Sequence, residues 1–216
     1  MKHRPSERFL VTIGTFDGVH RGHRRVLAWV KARARRQGLK TRVVFFVAPP
    51  RFYFRPELRV PLLTSGRERR RLLKGLGIDR VEVLRFGPRW AGMAHTAFFE
   101  SYIVKRWRAA GLIVGSDFAF GKGRLGDLAF LKAACRARGL ELDVLPLVRS
   151  GRRKISSTRI RALLAKGDVG AAGRLLGHPF SVTGRVVHGK HLGRKLGFPT
   201  ANVHVPVDTY RETWDR

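Results

Sequence analysis

Two histidines three residues apart, His20 and His23, close the stretch GTFDGVHRGH and offer imidazole nitrogens to a ligand. An apolar run, Phe9 to Ile13, leads into this stretch, and a segment of helical periodicity begins near His23. A strand, a turn and a helix N-terminus therefore follow one another without a gap. The first turn of a helix has backbone N–H groups without partners and carries the positive end of the helix dipole, so phosphate binds well there. Gly14, Gly18 and Gly22 have no Cβ to hold a ligand away. The chemistry to expect is the holding of a nucleotide's phosphates. Zinc is the other use of two such imidazoles, but no cysteine or carboxylate cluster completes a zinc site. Neither GxGxxG nor GxxxxGK[ST] is present, which removes the main support for a dinucleotide fingerprint or a P-loop. A second group, Ser156, Ser157 and Thr158, directly precedes an amphipathic segment. Alone it reads as a helix cap. Beside a nucleotide site, these hydroxyls and Arg161, a bidentate guanidinium, become phosphate ligands.

The elements that must position these groups follow from periodicity. Residues 9–13 and 41–47 are continuous in apolar and β-branched side chains, as buried strands are. Between them, residues 23–37 place Val26, Leu27, Val30 and Ala34 on one helical face, and Gly38 stands where a C-terminal cap would. This is a βαβ unit and implies a parallel sheet. PRFYFRPELR reads as loop. Ser65 with Glu68 forms a capping-box pattern opening a helix to about Lys74, and residues 80–84 alternate like a strand. Over 96–109, Phe98, Phe99, Tyr102, Ile103, Arg106 and Trp107 share one helical stripe, read as core. A strand at 112–116, a Gly-rich loop, a helix to about Ala137 and a strand at 141–147 follow. Within residues 155–168 an amphipathic helix follows Ser156, Ser157 and Thr158 and is closed by Gly167, and a second short helix runs to Leu176. The texture then changes near Gly177–Pro179, where a domain break is expected, and FSVTGRVVHGK alternates like an exposed strand. Repeated βα units predict a doubly wound α/β sheet whose ligands sit beyond the carboxyl ends of its strands.

Composition narrows the class. The chain has 216 residues, 44% of them hydrophobic, and a single cysteine, Cys135, which rules out an internal disulfide framework. No apolar run approaches the roughly 18 residues that span a bilayer, and the N-terminus lacks a secretory core. The expectation is a cytoplasmic protein without membrane contact. The formal net charge is +30, carried by 34 Arg and 11 Lys spread along the chain. Such a field draws in anions such as nucleotides and attracts RNA non-specifically, without implying a specific nucleic-acid partner.

HxGH preceded by GTFDG resembles the signature of the nucleotidyltransferase superfamily. At its full length the string is similar to the FMN adenylyltransferase half of the bacterial bifunctional riboflavin kinase/FAD synthetase family. GSDFAFGKGRLGD resembles that family's GxDFRFGKGRxGD, ISSTRIR its ISSTxIR, and GRVVHGKHLGRKLGFPTANV the opening of its riboflavin kinase domain. The likeness covers residues 9 to about 203. It implies a Rossmann-like doubly wound parallel sheet over residues 1–177, then an incomplete β-barrel segment over 178–216. It implies transfer of AMP from ATP, with Mg2+, to FMN, giving FAD and pyrophosphate. His20, His23 and Arg161 would be catalytic, and Gly14, Phe16, Asp17, Gly22, Ser157 and Thr158 would surround ATP. Asp117 and Phe118 would meet nucleotide or flavin, and Thr200 and Asn202 of PTAN would match the kinase's Mg-ATP residues. Two departures stand out. FFVAPP replaces the family's TFxPHP, with Pro49 at the histidine's place, and HVPVDTYRETWDR offers no counterpart of the kinase's later strands and catalytic Glu. Riboflavin phosphorylation by this polypeptide is therefore not expected. Two alternatives remain: a non-catalytic basic protein binding flavin or RNA on this fold, or a nucleotidyltransferase for another phosphorylated acceptor.

Overall fold

A computed structural model of the chain describes residues 7–146, 148–151, 153–188, 197–198 and 200–204. Five strands form one parallel sheet: β1 (Phe9–Gly14), β2 (Lys40–Phe46), β3 (Arg80–Leu84), β4 (Ala109–Gly115) and β5 (Glu141–Leu145), in the order β3-β2-β1-β4-β5. The chain winds outward from β1 to β3, then returns to pair β4 with the other edge of β1. The crevice where the winding reverses lies beyond the carboxyl ends of β1 and β4, the usual ligand position in such sheets.

Alternation along β1 explains why both faces are covered. Phe9, Val11 and Ile13 point one way and pack with Phe98, Phe99, Tyr102, Ile103, Trp107, Leu131 and Cys135. Leu10 points the other way and packs with Val30, Ala34 and Ile113. On that second face lie α1 (Arg21–Arg36) and α3 (Gly66–Gly75), which share a core of Phe16, Val19, Leu27, Val43, Phe45, Leu73 and Ile78. Each such large apolar side chain contributes roughly 1.5–3 kcal/mol by leaving water. The capping box forms as the sequence specifies: Ser65 Oγ accepts from the Glu68 N–H, and the Glu68 carboxylate accepts from the Ser65 N–H at 2.7 Å.

Several details differ from the sequence reading. PRFYFRPELR is not plain loop. Pro50 seeds a helical turn, α2 (Arg51–Phe54), and a 3-10 turn follows at Pro56–Leu58. After another short turn, α4 (Pro88–Ala91), the segment expected as one helix over 96–109 divides. Its first turn is α5 (His95–Phe98), and Phe99–Arg106 is a π-helix ending with the Trp107 N–H bonded to the Tyr102 carbonyl at 2.7 Å. The wider winding keeps Phe98, Phe99, Tyr102, Ile103 and Trp107 all in the core, while Arg106 leaves the stripe and pairs with Glu82. The stripe is core, as the sequence suggested. On the same face lies α6 (Leu128–Ala137), capped by Asp127.

Beyond β5, which stops at Leu145, a two-stranded turn, β6 (Arg149–Ser150) and β7 (Arg153–Lys154), leads into α7 (Ser157–Ala165) and α8 (Val169–Leu176). These two helices pack as a pair through Ile160, Leu164, Ala172, Leu175 and Leu176, joined by Leu63 and Ile155. After them the described strands are β8 (Arg185–Val187) and β9 (Asn202–His204), an exposed antiparallel ribbon that pairs only with itself. The expected barrel segment is present to that extent, and the strand expected through FSVTGRVVHGK is limited to three residues.

Candidate active site

The turn after β1 is held in an uncommon backbone shape. Phe16 (φ 49°) and Val19 (φ 41°) occupy the left-handed region, as does Gly18 (φ 76°). For a β-branched residue such as Val19 this is strain that its surroundings must hold in place. The holder is Asp17. Its carboxylate is 2% exposed and accepts from the Thr64 N–H at 3.2 Å, lies 3.5 Å from Arg69 Nη2, and pairs with Arg161 through its other oxygen. Thr64 Oγ1 in turn accepts from the Gly18 N–H at 3.0 Å. The Ser157 hydroxyl donates to the Asp17 carbonyl at 3.0 Å. One buried carboxylate thus joins the turn to the head of α3 and to α7.

Arg69, which the sequence did not single out, is fully buried. Its guanidinium donates to the carbonyls of Thr15 (2.8 Å), Phe46 (3.2 Å) and Thr64 (3.0 Å). It therefore closes the carboxyl ends of β1 and β2, where the chain leaves the sheet and its carbonyls lose their partners. A basic residue inside RERRR, among three other arginines, gives no hint of burial. The hint lies in phase: Arg69 is four residues before buried Leu73 and so shares its face. His178 was also missed. Its Nε2 lies 2.9 Å from the Gly18 carbonyl oxygen, tying the start of the C-terminal segment to the turn.

At the end of the turn the two imidazoles stack, with ring centroids 3.6 Å apart and planes 12° from parallel. His20 is the N-cap of α1, and its Nδ1 accepts from the His23 N–H at 3.3 Å, which leaves Nε2 to carry the proton. Gly22 permits this packing, since a Cβ there would meet the His20 ring at 3.0 Å. Burial drives both rings toward the neutral form. It lowers the His20 pKa to about 4, helped by nearby Lys154, and holds His23 well below 6.5 with additional repulsion from His20, Arg69 and Lys154. The pair therefore offers N–H donors rather than fixed cations. His23 Nδ1 is buried with no protein partner, a polar atom left for something else.

Beside this pair, Val148 lies 3.7 Å from where a Gly22 Cβ would stand, and it is also a wall of an open cleft of about 480 Å³. The other walls are Arg21, Arg24, Arg25, Arg149, Ser150, Ile155 and Gly177. The volume is within the range that holds a nucleotide-sized ligand.

The remaining sequence-derived residues fall as follows. Gly14 ends β1 against the Phe16 ring, and Phe16 itself is core. Asp17 and Arg161 are bound to each other, so they shape the turn from within. Arg161 Nε also donates to the Pro61 carbonyl at 2.6 Å. Thr158 is exposed in the first turn of α7. Asp117 is exposed and 3.5 Å from Lys154, while Phe118 packs against the core near Phe120. Thr200 and Asn202 are exposed, Asn202 on β9, away from the sheet's own strands. Among the described residues no three His, Cys, Asp or Glu side chains gather as a metal site, and no helix is long and apolar enough to cross a membrane. At the carboxyl ends of β2 and β3, Phe46, Tyr53, Phe54, Phe86 and Trp90 form a chain of edge contacts, with Phe54 61% exposed.

The family model for FAD synthetase matches residues 2–159, and that for riboflavin kinase matches residues 176–213. The chain is 42% identical over 199 residues to the bifunctional riboflavin kinase/FMN adenylyltransferase of Escherichia coli K12, covering 92% of this chain and 64% of that protein. It is 41% identical over 203 residues to the enzyme of the same name from Pseudomonas fluorescens, covering 94% and 65%. The chain thus spans just under two thirds of these relatives' length. A crystal structure of a Streptococcus pneumoniae protein described as a macrolide-efflux protein superposes with a TM-score of 0.78 at 33% identity, covering 96% of this chain and 67% of that one. With the strand order, the GTFDGVHRGH turn and the FAD synthetase match in agreement, the chain belongs to the FAD synthetase family.

Proposed function

We propose that the chain is an FMN adenylyltransferase, making FAD from FMN and ATP. An oxygen of the FMN phosphate attacks the α-phosphorus of ATP. The new P–O bond replaces the bond to the β-phosphate, and pyrophosphate leaves. The observation that carries this reading is the stacked, neutral His20–His23 pair with its unpartnered Nδ1, at the head of α1 and beside the cleft. The transition state accumulates charge on phosphoryl oxygens, so positioning and preorganised donors suffice and no protein nucleophile is needed. His20 Nε2–H and His23 would donate to the triphosphate, whose charge would in turn favour protonation of the rings. Gly14 and Gly22 would act by leaving room for the Phe16 and His20 rings, and Thr158 and the first N–H groups of α7 would meet the far phosphates. Asp17, Arg161, Ser157 and Phe16 would act by holding the turn. Mg2+ would arrive bound to the ATP phosphates and offset their charge. The aromatic chain ending at Tyr53 and Phe54 would offer stacking faces for the isoalloxazine ring, and Asp117 and Phe118, on the loop after β4, would meet the nucleotide or flavin. Thr200 and Asn202 have no part in this transfer.

The test is incubation of the purified chain with FMN, ATP and Mg2+, with FAD read by chromatography, beside His23→Ala. Loss of one transition-state donor costs about 10²–10³ in kcat. No FAD from the wild-type chain, or equal turnover in the variant, would refute the assignment.

A further inference from the structure

The excess positive charge is not evenly spread over the folded chain. Helix α1 carries seven basic residues and no acidic one, and α3 carries five basic residues and only Glu68, which is buried in its capping box. Both lie on the same face of the sheet, and Lys31 Nζ, bonded to the Leu76 carbonyl at 2.6 Å, fixes them side by side. Some of their cations are used internally: Arg69 in the hub, Arg33 on Glu141 and Asp143, and Arg24 on the Val19 carbonyl. The outward ones are not. Arg35 and Arg36 of α1 and Arg67, Arg70 and Arg71 of α3 are exposed and have no carboxylate partner among the described residues. Glu82 and Glu100 are paired with Arg106 and Arg138 toward the other face, and Glu7 is paired with Lys40 and Arg80. The opposite face, with the π-helix and α6, is far less basic.

We propose that this α1–α3 face binds single-stranded nucleic acid through its phosphodiester backbone, with Trp29 as a stacking surface for a base. Guanidinium groups suit phosphate because they are planar, weakly hydrated and bidentate. Trp29 stands four residues after Arg25 and seven before Arg36, on the side of α1 that turns toward β5, and is 47% exposed. Its indole N–H donates to Asp143 at 3.2 Å, which fixes the ring's edge and leaves a face open. Cationic groups beside an aromatic face are the recurring means of holding single strands without sequence preference. An anionic membrane suits the face less well, because Trp29 is the one large exposed apolar side chain among the described residues of α1 and α3.

The experiment is fluorescence anisotropy of the full chain with labelled single-stranded RNA and, separately, single-stranded DNA, across a KCl series. About five phosphate contacts predict that log K falls with log [KCl] with a slope near −3.5. The triple variant R36E/R67E/R71E should weaken binding about tenfold or more while FAD formation stays unchanged, since none of the three touches the site. Trp29→Ala should lose about fivefold or more. Comparable binding of the two strands assigns recognition to backbone and bases, and a clear preference for RNA adds the 2′-hydroxyl; either supports the proposal. An equal loss in K132E/R136E, on the opposite face, would overturn it in favour of bulk charge. So would an unchanged Trp29→Ala, or binding to phosphatidylserine vesicles that oligonucleotide fails to displace.

Discussion

Removing the Arg69 guanidinium tests the hub that shapes the turn after β1. Arg69→Met keeps an unbranched apolar stem but deletes every donor, along with the guanidinium that lies 4.9 Å from the Phe45 ring centre. Asp17 keeps Thr64 and Arg161, while the carbonyls of Thr15, Phe46 and Thr64, the last of them buried, lose a partner each. Breaking a buried ion pair from one side costs about 3–5 kcal/mol, and the surviving Arg161 contact places this case near 3 kcal/mol. For a domain of 150–250 residues each kcal/mol lowers Tm by about 2–4 °C, so a fall of about 6–12 °C is expected by circular dichroism. The double variant Asp17→Asn/Arg69→Met should cost less than the sum of its parts, because the second substitution removes a charge the first has already stranded. Arg69→Lys should recover part of the loss. The turn carries His20 and His23, so the ATP KM of Arg69→Met should rise along with the loss of stability. A Tm within about 2 °C of wild type, or strict additivity in the double variant, would refute the hub.

Two further outcomes follow from the turn itself. A histidine whose folded pKa lies below its unfolded value binds fewer protons when folded, so its stabilising effect is complete above about pH 6.5 and is lost as pH falls toward 4. The shift of His20 to about 4 corresponds to about 3 kcal/mol, with His23 acting in the same direction. Urea unfolding at a series of pH values should show this slope, and His20→Asn, which can still cap α1, should flatten it; an identical slope in the variant would count against neutral burial. Gly18→Ala forces a side chain into φ 76° with its Cβ 2.8 Å from Leu63 Cδ1, and should cost about 1–3 kcal/mol. Gly38→Ala, at φ 63° with nothing within 4 Å, should cost less, and equal losses at both positions would show that the clash is irrelevant.

The sequence alone determined the layer architecture, because runs rich in apolar and β-branched residues at 9–13 and 41–47 around a helical stripe admit little but a parallel βαβ unit. It also determined that GTFDGVHRGH puts two imidazoles at a helix N-terminus directly after a strand. Capping at Ser65 and burial of the aromatic stripe were legible for the same reason: each depends on neighbours within a few residues. What the sequence could not supply was the protonation of His20 and His23, which is set by how much protein closes over the rings. Nor could it show that Asp17, within the motif, binds Arg69 and Arg161 from 52 and 144 residues away rather than facing a ligand. The π-helical turn before Trp107 and the split between buried Arg69 and its exposed neighbours are likewise tertiary outcomes. Packing chooses which face of a helix meets the core, and long-range pairing decides which charges are left for solvent or ligand.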